Sequence, residues 1–115
     1  MAVETRLDDR QWRILAYLYR ALQYDVTVVS VGRTFEGREV LVLSAERDIG
    51  AYDGLNAFGM LHEVAASTAR SLDSDGYLEM SRPDASGMRR LRIKDKGARA
   101  VEARQRRLLQ AIYDS

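Results

Sequence analysis

The chain has 115 residues, of which 46% are apolar and 30% charged, with a formal net charge of +1. This length suits one domain spanning residues 1–115, and the apolar content suffices for a small core. Cysteine is absent, which excludes disulfides, thiolate metal sites and cysteine nucleophiles. No stretch approaches the roughly 20 apolar residues of a membrane span, and residues 1–6 lack the apolar block of a signal peptide, so a cytoplasmic protein without membrane contact is expected.

The elements follow in chain order. Asp8 or Asp9 can cap a helix from about Asp9 to Tyr24. Its apolar stripe is Trp12, Leu15, Tyr19 and Leu22, widened by Ile14 and Leu18. Val26–Val31 is β-branched and reads as a strand, a polar loop Gly32–Gly37 follows, and Glu39–Ser44 reads as its partner in a hairpin. Gly32 and Gly37 have the spacing of a phosphate loop, but Arg38-Glu39 stands where Lys-Ser/Thr is required, so that reading fails. Asp53 can cap a short helix through Leu55, Phe58 and Met60. A second helix is expected from about Met60 to Asp73, with Leu61, Ala65, Ala69 and Leu72 on one face. Asp75-Gly76 ends it. Tyr77–Arg82 and Met88–Ile93 read as strands around the turn Pro83–Gly87, with imperfect alternation in the second that allows a bulge. The last helix is expected from about Asp95 to Tyr113, with a narrow seam of Val101, Leu108 and Ile112.

Charge is divided unevenly along this order. Residues 36–79 carry nine acids and three bases, whereas residues 82–107 carry ten bases and three acids. Such asymmetry points to a polyanionic partner. Arg82, Arg89, Arg90, Arg92 and Lys94 flank the predicted turn, where guanidinium groups suit a phosphate backbone or a narrow minor groove. Basic residues also protect strand edges, which is the competing explanation.

The local wording sharpens this picture. Leu7-Asp-Asp-Arg-Gln-Trp-Arg-Ile-Leu15 resembles the helix that precedes the helix-turn-helix of MarR-type regulators. Leu72-Asp-Ser-Asp-Gly-Tyr-Leu78 resembles their junction between recognition helix and wing. Residues 82–93 resemble their wing, and Ile93-Lys-Asp-Lys-Gly97 is similar to the motif opening their C-terminal helix. The resemblance implies an α+β fold: a winged helix-turn-helix with an inserted β-hairpin at 26–44 and a C-terminal dimerisation helix. It implies double-stranded DNA as the partner, with the helix around His62 in a major groove. His62, Ser67, Arg70 and Ser71 would then meet bases or phosphates beside the wing residues Arg82, Arg89, Arg90, Arg92 and Lys94. A lone histidine such as His62 can equally be a polar surface residue. Where a threonine usually caps the last helix Lys94 stands, and Asp95 can take that role.

The seam of Val101, Leu108 and Ile112 suits a homodimer, or packing on the first helix of the same chain. No catalytic constellation is legible: His62-Glu63 lacks the second histidine of a zinc helix, and no serine has an elbow motif. The sequence therefore predicts a DNA-binding regulator, with no enzyme activity, cofactor or metal. The alternative is a protein-interaction module on the same scaffold, binding a partner protein through the acidic middle and the hairpin.

Overall fold

The computed structural model describes residues 7–47 and 62–114. It is an α+β fold of three helices and a five-stranded antiparallel sheet among the described residues. The short helix expected after Asp53 lies outside them.

Helix α1 (Asp9–Gln23) starts where the sequence places it. The Asp8 side chain accepts from the Gln11 N–H at 2.8 Å, and the Gln11 side chain accepts from the Asp8 N–H at 2.9 Å. This reciprocal capping box satisfies two donors at the helix end. The buried stripe is Ile14, Leu15, Leu18 and Ala21. It is rotated from the expected one: Trp12 and Tyr19 are half-buried and Leu22 is exposed.

Strands β1 (Val26–Phe35) and β2 (Arg38–Arg47) pair along ten residues each, from Val26 opposite Arg47 to Phe35 opposite Arg38. The expected loop at Gly32–Gly37 is thus reduced to Glu36-Gly37. Both residues have positive φ, 49° and 75°, which matches the right-handed twist of a two-residue hairpin. The sequence hid this because residues 32–39 are exposed, so no buried face imposes alternation there.

The largest correction falls on the expected helix from Met60 to Asp73. His62–Ala65 forms strand β3, which pairs with β2, Leu41 opposite Val64 and Leu43 opposite His62. Helix α2 begins only at Ala66 and runs to Ser74. His62 is therefore a strand residue rather than a helix-start residue. The composition of 60–73 suits a helix, but the free edge of β2 supplies backbone partners that override propensity. From the expected face, Ala69 and Leu72 are buried in α2, while Ala65 stands in the strand.

Strands β4 (Leu78–Met80) and β5 (Met88–Ile93) form the second hairpin, and helix α3 spans Asp95–Asp114. The sheet order is β3-β2-β1-β5-β4. Regular pairing of β4 with β5 ends near Ser81, whose N–H donates to the Arg90 carbonyl at 2.9 Å. Its hydroxyl then accepts from the Arg90 N–H at 2.8 Å, a side chain standing in for the ladder. No bulge interrupts β5, whose register with β1 is unbroken from Met88 to Leu91; Met88 lies on the sheet face opposite to Leu91 and Ile93.

The core lies between one sheet face and the helices. Val28, Leu41, Leu43, Leu78 and Leu91 from the sheet meet Ile14, Leu15, Leu18, Leu72 and Val101 from α1, α2 and α3. One polar residue interrupts it. Ser30 is fully buried, and its hydroxyl has no hydrogen-bond partner among the described residues.

Candidate nucleic-acid interface

The end of α2, the start of β4 and the start of α3 form one interlocked unit. Tyr77 is buried, and its N–H donates to the Leu72 carbonyl at 2.9 Å. Its carbonyl accepts from the Lys94 N–H at 3.0 Å. The Lys96 ammonium sits 4.4 Å from the Tyr77 ring centroid and donates to the Asp75 carbonyl at 2.6 Å. A cation thus satisfies the C-terminal end of α2, where carbonyls lack helical partners. Gly97 completes the lock. A Cβ there would lie 2.3 Å from the Tyr77 carbonyl oxygen and 2.8 Å from Ile93 Cγ1. Only glycine lets α3 approach this closely. The two sequence blocks around Gly76 and Gly97 are therefore halves of one contact. The Lys94 carbonyl accepts the first helical bond of α3, and Asp95 lies in the first turn.

This unit aims the β4–β5 turn. Asp84 organises the turn: its carboxylate accepts from the Ser86 N–H at 2.8 Å, the Ser86 hydroxyl at 2.6 Å and the Met88 N–H at 3.0 Å. These donors, with the Ser86 hydroxyl foremost and Arg90 a lesser contributor, hold the Asp84 carboxyl below its usual pKa. The single acid of the turn is therefore occupied inside it. Arg82 and Arg90 are exposed and Arg89 is half-buried; none has an ion pair within 4 Å among the described residues. Arg89 stands opposite Ser30 and so faces the helices, whereas Arg90 and Arg92 take the other face. Arg92 lies 3.4 Å from Glu79. Lys94 is exposed past the strand end.

The α2 residues are arranged differently. Ser67, Arg70 and Ser71 are all exposed, but Arg70 makes an ion pair with Glu39 of β2. That hydrogen bond, reinforced by the charges of Arg70 and Arg89, lowers the Glu39 pKa. Arg33 pairs likewise with Glu63, and Arg38 lies 3.9 Å from Glu36. The structure thus groups Arg82, Arg89 and Arg90 at the turn and Ser67, Arg70 and Ser71 on α2, and leaves His62 in β3. Sequence reasoning missed Glu39, whose contact with Arg70 spans 31 residues and leaves no local signal. It also missed the structural role of Lys96 and Gly97, although a glycine in the first turn of a helix is a usable sign of close packing.

The predicted seam of α3 is divided. Val101 belongs to the core of its own chain, packed with α1 residues. Leu108 is 54% exposed, Ile112 68% and Tyr113 84%. No described helix is long and apolar enough to cross a membrane. Comparison with protein families, characterised proteins and solved structures finds no match for this chain.

Proposed function

We propose that the chain is a winged-helix DNA-binding protein, MarR-like in its helix-wing-helix segment, with α2 as the recognition helix and β4–β5 as the wing. The observation that carries this reading is the turn at 82–90, where three arginines lack ion pairs among the described residues while the only acid of the turn is bonded internally. Free guanidinium groups on a rigid turn bind phosphate without first breaking a pair. The order β1-β5-β4, with α2 leading directly into β4, supports the same reading. A transcriptional regulator acting as a symmetric dimer follows as its extension, with the exposed Leu108 end of α3 as the dimer contact.

Fluorescence anisotropy with a mixed-sequence duplex tests the reading. Binding is expected at low salt, lost at high salt, and weakened about tenfold or more by Arg89→Ala with Arg90→Ala. Absence of binding at low salt sinks the proposal. For the dimer, Leu108→Glu should yield monomers in sedimentation, and an unchanged mass would remove that extension.

A second reading has its own support. Arg33, Arg38 and Arg70 all face acids, and Phe35 is 54% exposed at the tip of the β1–β2 hairpin. A charge-matched surface with a protruding aromatic suits a protein partner better than a polyanion. Wild-type protein that ignores DNA but loses a partner through Phe35→Ala would favour it.

A further inference from the structure

A groove of about 280 Å³ lies at the β3 edge of the sheet, on the side away from the wing. Arg10 and Arg13 of α1 and Arg38 of β2 converge on it, with Glu63 and Thr68 also lining it. Its charges are unequal. Glu63 is already paired with Arg33, and Arg38 has only a distant, exposed contact with Glu36 at 3.9 Å. Arg10 and Arg13 are exposed and have no ion pair within 4 Å among the described residues. Asp8 and Asp9 are nearby in sequence, but the Asp8 carboxylate accepts from Gln11 as the helix cap. Three guanidinium groups around one groove, with its acid engaged elsewhere, suit a group with several anionic oxygens.

The topology says what such a group would belong to. Ala65 lies opposite Val40 and Val31 opposite Met88, so the groove and the wing turn share one end of the sheet. They occupy its two opposite edges, and α2 leaves β3 at one edge and enters β4 at the other. Four strand spacings of about 4.8 Å separate those edges, a span of about 19 Å. A major groove is about 12 Å wide between its backbones, so a helix seated in it would have a phosphate strand on either side. We propose that the groove of Arg10, Arg13 and Arg38 holds a backbone phosphate of duplex DNA, across the recognition helix from the wing. This rests on the DNA-binding reading and extends the contact surface to the first turns of α1, which the sequence did not implicate.

The test is a salt titration of duplex binding by the full chain and three variants. Arg10→Gln with Arg13→Gln should weaken binding about fivefold to tenfold and reduce the salt slope by about 1. Arg20→Gln, on the same helix but not lining the groove, controls for the general loss of positive charge. Arg89→Ala with Arg90→Ala reports on the wing, and the melting temperature of each variant shows that it folds. If the groove variant matches Arg20→Gln while the wing variant is weakened, the groove proposal is overturned and the DNA reading stands. If the wild type binds no duplex, both fall. Inorganic phosphate at constant ionic strength separates the sources. Should it bind at the groove while duplex affinity is indifferent to Arg10 and Arg13, the groove is a free-anion site and the proposal is again overturned.

Discussion

The two hairpins of this protein point the same way and are furnished with the same side chain, yet they present different chemistry. The β1–β2 hairpin sets Arg33 against Glu63 and Arg38 near Glu36, and its neighbour Glu39 holds Arg70. The β4–β5 hairpin turns the one acid of its turn, Asp84, inward upon backbone and hydroxyl donors and leaves Arg82, Arg89 and Arg90 without an ion pair among the described residues. A count of arginines would rank the two as similar. Their availability separates them, because a paired guanidinium must give up its carboxylate before it can serve another anion. This is also why the acidic middle of the sequence matters: Glu63 and Glu39 pair closely with Arg33 and Arg70, whereas Arg38 keeps only a distant contact with Glu36.

The contrast can be broken at its foundation, at its surface, or in finer detail. The largest effect is expected from Gly97→Ala. Its Cβ would meet the Tyr77 carbonyl oxygen at 2.3 Å, and backbone must move to relieve it. A loss of about 3 kcal/mol or more is expected in chemical denaturation, with the β4–β5 turn displaced. A variant as stable as wild type would mean that α3 does not lock the second hairpin.

The contrast itself is measured by two single substitutions. Arg90→Ala should weaken duplex binding several-fold and lower its salt slope by about 1, whereas Arg33→Ala should leave both nearly unchanged. Equal losses would show that pairing with Glu63 does not matter. A smaller effect is expected in β1, the strand that both hairpins share through Leu43 and Arg89 as neighbours of Ser30. Ser30→Ala removes a buried hydroxyl without a partner among the described residues and should raise stability by about 0.5–1 kcal/mol. A loss of that size instead would reveal a bond made by the hydroxyl. The subtlest outcome concerns acid. The folded pKa of Asp84 lies below its usual value, so its contribution is complete above the ordinary carboxylate range and disappears as pH falls through the lowered value. The protection of the Ser86 and Met88 amides, relative to their intrinsic exchange rate at each pH, should therefore fall only in acid. A change centred near neutral pH would point to another group.

Much of this fold was legible in the sequence wherever one face is buried. Ile14, Leu15 and Leu18 give α1 its period, and Val26 and Val28 give β1 its inward face. Legibility failed where both faces meet solvent or where the partner is remote. The outer half of the β1–β2 hairpin carries no apolar rhythm, so it read as loop. His62–Ala65 read as helix because nothing in those four residues records that β2 offers them an edge. At the candidate site, the cluster of basic residues in 82–94 was readable as composition. That Arg70 makes a direct ion pair while Arg89 acts on the same carboxylate only through its charge depended on Glu39, 31 residues before Arg70.

The order of strand lengths has a separate consequence. β1 and β2 run for ten residues each, while the outermost strands, β3 and β4, have four and three. An open sheet offers unpaired backbone groups at both rims, and another chain can extend it there. Here β3 covers β2 only from Val40 to Leu43, and β5 covers β1 only from Val28 to Val31. A second copy could add few backbone bonds to β3 or β4 themselves, so edge-to-edge addition at either outermost strand would be short.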